Sequence, residues 1–171
     1  MKVLLTLFSL CLLVLNACVS TDNADLRNVS QPDKSVDLSP AVSVKPIDIV
    51  VYRSPTCGCC EKWQAHLKKN NFNIKEIRTS EMPAIRDKYG VPQEMASCHT
   101  ALVEGYVVEG HVPANEIKAL LETKPKVVGI AIPSMPFGTP GMEMGDDKDA
   151  YEIIGFDREK HYQVLKSIKG N

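Results

Sequence analysis

An excess of charge of either sign and a long apolar segment are both missing from this sequence. Its 20 lysine and arginine residues balance 21 aspartate and glutamate residues, which leaves a net charge of −1 and no basic stripe. Nucleic acid is therefore not expected as a partner. The most apolar stretch, Val3 to Leu15, is shorter than the roughly 20 residues that cross a bilayer. With 44% hydrophobic residues in a chain of 171, one modest globular domain is predicted.

The N-terminus has the pattern of a bacterial export signal. Lys2 precedes the apolar stretch, which has the length of a signal-peptide core. The stretch ends in Leu15-Asn16-Ala17-Cys18, which resembles the lipobox of bacterial lipoproteins, although Asn16 is unusual there. Residues 1–18 are therefore interpreted as a lipoprotein signal whose Cys18 becomes the lipidated first residue of a membrane-anchored protein that faces the periplasm. The alternative is ordinary secretory cleavage, which would make Cys18 an incidental thiol.

A polar segment separates this signal from the folded domain. Residues 19–46 are mostly Ser, Asp, Asn, Pro and Val without helical or strand periodicity, which predicts a flexible tether. The domain is expected to span residues 47–160, followed by a polar tail over 161–171. Cys11 would be lost with the signal, so the thiols that remain for the domain are Cys57, Cys59, Cys60 and Cys98.

Three of these thiols stand together in Cys57-Gly58-Cys59-Cys60, between a predicted strand over Ile47–Tyr52 and a predicted helix. A Cys-x-x-Cys pair at a helix N-terminus is stabilised as thiolates by the helix dipole and the free N–H groups. Cys59 is one thiol more than such a redox pair requires, and a thiolate cluster suits a soft metal. Two alternatives stay open: a structural or catalytic disulfide within the cluster, or a disulfide between Cys98 and one of the three.

Hydrophobic periodicity and turn residues predict the order β-α-β-α-β-β-α from Ile47 to about Lys124. With its Cys-x-x-Cys pair after the first strand, this order resembles the thioredoxin fold, in the α/β class. In that fold the loop before the third strand lies against the Cys-x-x-Cys turn and usually carries a cis-proline. Here the loop carries Cys98 and His99 and has no proline directly before the strand, so the place where a redox substrate would dock is altered.

The clearest hairpin in the sequence predicts a contact between two candidate metal ligands. Ala101–Val103 and Tyr106–Val108 flank the two-residue turn Glu104-Gly105, which fixes the strand register. Continued outward, the same ladder places Cys98 opposite His111. Directly opposed residues have Cβ atoms about 5 Å apart, which is a metal-chelating distance.

The extension after the third predicted helix is rich in Met, Pro and Gly. Met135, Met142 and Met144 lie in this loop, before a last predicted strand over Tyr151–Phe156. They could fill gaps in the core, which is the usual role of Met, but their clustering favours thioether ligands. His66 is placed about 10 Å along its helix from the cysteines and is expected at the surface.

The chemistry of these donors indicates the metal. Thiolates with thioethers favour Cu(I), imidazole accepts either copper oxidation state, and zinc has little use for Met. A mixed Cys/His/Met site on an exported protein therefore indicates copper.

Four motifs stand in order in the chain: Tyr-x-Ser-Pro-Thr-Cys-Gly-Cys-Cys, Val-Pro-x-x-x-Ala-Ser-Cys-His-Thr, Gly-Tyr-x-x-Glu-Gly-His-Val-Pro and Pro-x-Gly-x-Pro-Gly-Met-Glu. They resemble the CopG-type copper-resistance proteins, a small family of exported, thioredoxin-like domains, and the resemblance runs from Tyr52 to about Phe156. It implies a cluster of several copper ions and a role in copper oxidation–reduction during detoxification. The implied bridging thiolates are those of Cys57, Cys59, Cys60 and Cys98. The motifs also imply His111 and Met142 as metal ligands. Met135 and Met144 are not implied by the motifs; they are candidate ligands because thioether sulfur is a soft donor and because of their position in the same loop.

The leading hypothesis is an exported, lipid-tethered copper-binding protein for copper resistance and homeostasis. Copper efflux or oxidase proteins are its candidate partners. No catalytic residue is assigned, and interconversion of Cu(I) and Cu(II) is the enzymatic activity to test. The alternatives are a thiol–disulfide oxidoreductase that uses Cys57 and Cys60, and a passive copper chaperone that hands the metal to an efflux system. Cys59 and the Met-rich loop separate the first hypothesis from the oxidoreductase, because redox catalysis leaves both unexplained.

Overall fold

The computed structural model describes residues 45–171. The predicted signal over 1–18, the lipidation of Cys18 and the tether up to residue 44 lie outside the described residues. Within residues 45–171, no helix combines the length and the apolar character that crossing a membrane requires.

The described chain folds as a mixed α/β domain with one seven-stranded sheet. Its strands are β1 (Ile47–Arg53), β2 (Phe72–Arg78), β3 (His99–Val103), β4 (Tyr106–Glu109), β5 (Gly129–Ala131), β6 (Tyr151–Phe156) and β7 (Tyr162–Ile168). Its helices are α1 (Gly58–Lys69), α2 (Met82–Tyr89) and α3 (Ala114–Thr123), with one 3-10 turn at Gln93–Met95.

The predicted order β-α-β-α-β-β-α is present from β1 to α3, and the α/β class is confirmed. In the sheet the strands follow the order β2-β1-β3-β4-β5-β6-β7. β1 pairs with β2 in parallel and with β3 in antiparallel orientation. The thioredoxin-like assignment stays a prediction that rests on this order. Because β1 and β3 are antiparallel neighbours, the C-terminal end of β1 lies beside the N-terminal end of β3.

The core lies between the sheet and the helices that cover it. Ile49 and Val51 of β1 are buried, and they pack in one cluster with Trp63 and Leu67 of α1. These two helix residues are spaced i and i+4, as the apolar stripe of the sequence predicted. Their burial fixes α1 on the sheet. The segment over residues 54–60 at the N-terminus of α1, called the cysteine turn below, is fixed with it.

The C-terminal extension continues the sheet rather than forming a separate unit. β5 pairs with β4, β6 pairs with β5, and the Met/Pro/Gly-rich loop connects β5 to β6. Residues 161–171, which the sequence suggested only as a polar tail, include β7, paired antiparallel with β6. β7 is an edge strand whose residues are nearly all exposed, so no alternation of apolar and polar residues marks it in the sequence.

Candidate metal centre

The β3–β4 hairpin has the predicted turn and register. Val103 pairs with Tyr106 and Leu102 with Val107. Glu104-Gly105 forms the turn with φ angles of 45° and 88°, the left-handed pair that a tight hairpin of this type requires.

Cys98 and His111 lie just beyond the hydrogen-bonded part of this hairpin. Cys98 Sγ is 3.3 Å from His111 Nε2, so the predicted proximity of the two residues is confirmed. His111 is fully buried, and its Nδ1 donates a hydrogen bond of 2.7 Å to the carbonyl oxygen of Pro140. Because a carbonyl only accepts, Nδ1 carries the proton and Nε2 presents its lone pair towards Cys98. Burial also lowers the pKa of His111, which favours the neutral, metal-binding form.

The cysteine turn is attached to the N-terminus of α1. Cys57 occupies the N-cap position, and Cys59 and Cys60 lie in the first turn of the helix. Cys59 Sγ is 3.4 Å from Cys57 Sγ and 3.9 Å from Cys98 Sγ. The sulfur atoms of Cys57, Cys59, Cys60 and Cys98 all lie within 4.8 Å of one another. The fold therefore collects the predicted thiols at one point, although their binding to a metal stays a prediction.

The sulfur atoms are not all free thiols in this structure. Cys57 and Cys60 form a disulfide, whereas Cys59 and Cys98 are free and partly buried. The first of the two disulfide alternatives is therefore the observed one, and Cys98 is not cross-linked. Two thiols are available to a metal in this state. All of the sulfurs become available after a reduction that takes two electrons and two protons.

The Cys98 thiol is held in its protonated form in the absence of a metal. Burial, together with the neighbouring Cys59, raises the pKa of Cys98 to about 12. A metal that binds this sulfur must therefore displace a proton at neutral pH.

His99 adds a second imidazole beside the same thiol. Its Nδ1 lies 3.4 Å from Cys98 Sγ, and its ring stacks on Trp63 at a centroid distance of 4.1 Å. Burial, and secondarily the neighbouring His111, lowers the pKa of His99 to about 3, so the ring is neutral at physiological pH. The sequence favoured a hydrogen-bonded loop residue for His99 and left a functional role beside Cys98 open. The structure groups it with Cys98 and His111 as three potential metal ligands.

The Met-rich loop reaches the cysteine turn through its Pro140-Gly141 segment. A Cβ atom on Gly141 would lie 2.8 Å from Trp63 N and 2.9 Å from Cys59 O, so only glycine allows this approach. The adjacent Met142 is partly buried on this segment. The other two candidate methionines are on the surface, since Met135 is 36% and Met144 60% exposed.

His66 is not the surface residue that its position on α1 suggested. It is half-buried, and its Nε2 accepts a hydrogen bond of 3.1 Å from the backbone N–H of Ala114, at the start of α3. Burial lowers the pKa of His66, although Glu143 opposes this effect. His66 therefore stabilises the segment that follows His111.

Two buried charged residues support the loops of this site, and sequence patterns alone did not assign either of them. Glu109 Oε1 accepts a hydrogen bond of 2.7 Å from the backbone N–H of Ser97, beside Cys98, and burial raises the pKa of Glu109 to about 7. Arg53 is fully buried under the cysteine turn. The period of two along β1 puts Arg53 on the same face as Ile49 and Val51, which was the signal available for it.

The comparisons with known proteins indicate the family of this chain. Two solved structures, described as copper resistance protein CopG in its forms 1 and 2, are each 44% identical to this chain. The first match covers 74% of this chain and 100% of the other, with a TM-score of 0.70. The second covers 72% and 99%, with a TM-score of 0.69. The chain belongs to the CopG family of copper resistance proteins.

A family profile described as a protein of unknown function, DUF411, matches residues 95–142. That segment contains Cys98, His111 and Met142, whereas the cysteine turn precedes it. No curated protein matches the chain significantly. Membership of the CopG family and the cluster of cysteines together support a copper-related role.

Proposed function

We propose that this protein binds Cu(I) in a cluster bridged by the thiolates of Cys57, Cys59, Cys60 and Cys98, as part of copper resistance. The observation that carries the proposal is the convergence of these sulfurs within 4.8 Å, at a buried imidazole. Thiolate sulfur is a soft donor that favours Cu(I). The donor set therefore fits the metal that the names of the CopG relatives indicate.

His111 is the imidazole ligand in this proposal. Its Nδ1 donates its proton in a hydrogen bond to the carbonyl oxygen of Pro140, so the lone pair of Nε2 can bind a copper ion that Cys98 also binds. Cys98 Sγ lies 3.9 Å from Cys59 Sγ and 3.3 Å from His111 Nε2, and it belongs both to the group of four sulfurs and to the group with the two imidazoles, so it is the sulfur we expect to bridge two metal ions. Met142 is the candidate thioether ligand, because its segment packs against the cysteine turn.

The Cys57–Cys60 disulfide links copper binding to oxidation–reduction. Two Cu(II) ions each accept one electron and become Cu(I), while the Cys57 and Cys60 thiols lose two protons and form the S–S bond. In the opposite direction, reduction of the disulfide returns two thiols to the cluster. The protein therefore gains copper-binding capacity when it is reduced.

A thiol–disulfide oxidoreductase is the second candidate function. The observation that favours it is the Cys57–Cys60 disulfide at the N-terminus of α1, where the helix dipole stabilises a thiolate. It leaves the neighbouring Cys59 and Cys98 thiols without a role. Copper binding uses all of the sulfurs and is therefore preferred.

The periplasmic location and the lipid anchor are proposed from the sequence alone. Cys18 would carry the lipid, and two or more acyl chains would anchor the protein stably. Intact-mass analysis of the mature protein should show a diacyl or triacyl addition at Cys18. A soluble, unmodified N-terminus that begins at another residue would contradict the anchor.

The function is tested by anaerobic titration of Cu(I) into the reduced and the disulfide-bonded protein. We expect more than one copper ion per chain in the reduced protein and a lower capacity in the oxidised protein, because Cys57 and Cys60 are then blocked. The Cys57→Ser/Cys60→Ser double variant is the matched control, and it should have a low capacity under both conditions. Equal capacities for the reduced and oxidised wild type would rule out a cluster that uses these two thiolates.

A further inference from the structure

Arg53 is a fully buried cation directly under the cysteine turn. Its Nη1 lies 3.0 Å from the carbonyl oxygen of Ser54, 3.3 Å from that of Pro55 and 3.4 Å from that of Cys57. The two hydrogens of this nitrogen are shared among three acceptors of the turn. One side chain thus supports the backbone that carries the first cysteine of the cluster.

Two carboxylates hold the guanidinium in this position. Nη2 donates to Glu61 Oε1 at 2.6 Å, and Nε donates to Glu76 Oε1 at 3.1 Å. Glu61 belongs to α1 and Glu76 to β2, so Arg53 connects the turn to both elements. A charge buried without such partners would cost several kcal/mol in desolvation, so this pairing is what makes the buried cation tolerable.

The geometry requires arginine rather than any cation. The guanidinium is planar, and its N–H groups point in several fixed directions, here towards the turn carbonyls and the carboxylates at once. A lysine keeps the charge but has one nitrogen on a flexible stem. Arg53→Lys therefore separates the effect of the contacts from the effect of the charge.

We propose that Arg53 is a positioning residue that holds the Ser54–Cys57 backbone in place when the disulfide is reduced. In the oxidised protein the S–S bond itself keeps Cys57 beside Cys60. After reduction this covalent constraint is lost, and the contacts of Arg53 keep the thiols at the distance that a cluster requires. This inference rests on the proposed function for its copper readout, but it also predicts an effect in the copper-free protein.

The copper-free effect is on the equilibrium of the disulfide. A turn that holds the two thiols close together favours disulfide formation, because less conformational freedom is lost when the bond forms. A looser turn in Arg53→Lys should lower the equilibrium constant for disulfide formation about tenfold, a rise in reduction potential of about 30 mV. The measurement is equilibration of the folded, copper-free protein with glutathione buffers, read out by alkylation and mass.

The copper effect is on the affinity of the reduced protein for Cu(I). Residues that orient metal ligands typically change metal affinity about 10–100-fold when they are replaced, and we expect Arg53→Lys to weaken binding within that range. Arg78→Lys is the matched control, since Arg78 pairs with the same two carboxylates, Glu61 and Glu76, on the exposed side. It should leave both quantities unchanged.

The outcomes separate this inference from the proposed function. A shifted potential without any Cu(I) binding in the wild type would support Arg53 and overturn the copper proposal. A folded Arg53→Lys variant with wild-type potential and wild-type affinity would overturn the role of Arg53. If that variant does not fold, Glu61→Gln replaces it and should shift both quantities in the same direction by a smaller factor. No shift in the folded Glu61→Gln variant would then overturn the inference.

Discussion

The Nε2 atom of His111 lies 3.3 Å from the Sγ atom of Cys98, on the two strands of one hairpin just past its last paired residues. The imidazole is oriented by the hydrogen bond from its Nδ1 to the carbonyl oxygen of Pro140, which belongs to the Met-rich loop. Three separate segments therefore meet at one sulfur–nitrogen pair. Loss of the His111 imidazole or of its contact with Pro140 should therefore affect the site without removing a cysteine.

Replacement of residues that only orient a metal ligand typically weakens metal binding about 10–100-fold. Replacement of His111 by alanine should weaken Cu(I) binding at least as much, because a direct ligand is lost. Competition titration under reducing, anaerobic conditions measures this change. His161→Ala is the control, because the His161 side chain is 80% exposed and pairs with Asp157 at a different part of the surface. Equal effects of the two substitutions would show that His111 is not a ligand. His66→Ala, which the sequence alone would suggest as the control, is less suitable because His66 contacts α3.

Gly141→Ala should damage both the fold and the site. Its φ of +88° is unfavourable for alanine, and its close approach to Trp63 N and Cys59 O leaves no room for a Cβ atom. The left-handed conformation alone costs about 1–2 kcal/mol, and the contacts with neighbouring backbone should add about 1–3 kcal/mol. Gly145→Ala is the control, since Gly145 has a φ of +68° and, apart from its chain neighbours, no atom of residues 45–171 lies within 4 Å of a Cβ atom placed there. Urea unfolding and Cu(I) titration should show the larger loss for Gly141→Ala, and equal losses would contradict the packing of this loop on the cysteine turn.

His66 should contribute stability that depends on pH. Burial lowers the pKa of His66 in the folded protein, and the neutral Nε2 accepts the Ala114 N–H. The unfolded chain therefore takes up a proton more readily, so this contribution is present above the ordinary pKa of about 6.5 and is lost as the pH falls through the folded value. The loss of a helix-capping contact is typically worth about 1 kcal/mol.

The pH effect of His66 is isolated by comparing the wild type with His66→Ala. The free energy of unfolding of copper-free protein is measured in urea between pH 8 and pH 5. Glu109 and the other buried groups titrate in both proteins, so they cancel in the difference. The wild type should be more stable at pH 8, and this advantage should shrink towards pH 5. A difference that is constant or grows on acidification would contradict the assignment of His66 as a neutral acceptor.

Cys59→Ser should separate disulfide chemistry from copper binding. The Cys57–Cys60 disulfide does not involve Cys59, so it should still form in the variant. The number of Cu(I) ions bound by the reduced protein should fall, because a thiolate between Cys57 and Cys98 is lost. Strong reductase or isomerase turnover by metal-free protein that survives Cys59→Ser, with unchanged copper binding, would favour the oxidoreductase instead.

Local sequence signals predicted the parts of the site that depend on neighbouring residues in the chain. The turn at Glu104-Gly105 fixed the register, and the register brought Cys98 to His111. The Cys-x-x-Cys spacing before an amphipathic helix likewise predicted the position of Cys57 and Cys60. These features follow from turn chemistry and periodicity, which short segments carry by themselves.

Contacts between distant segments could not be predicted in the same way. The hydrogen bond from Ala114 to His66 joins residues 48 positions apart, and no periodicity in either helix indicates it. The choice between a disulfide and free thiols depended on the positions of the sulfur atoms, which the sequence left open. Arg53 is a different case, because two sequence signals disagreed. The alternation of buried and exposed positions along β1 predicted a buried side chain, whereas its charge predicted an exposed one.

The claim that copper ions are bridged by cysteine thiolates is tested most directly by X-ray absorption at the copper edge, with the copper content measured on the same reduced, anaerobically loaded sample. The account predicts more than one copper per chain, an edge typical of Cu(I), sulfur as the dominant neighbour and a copper–copper distance short enough for ions that share a sulfur. A single copper per chain with nitrogen and oxygen neighbours and no second copper nearby would contradict it.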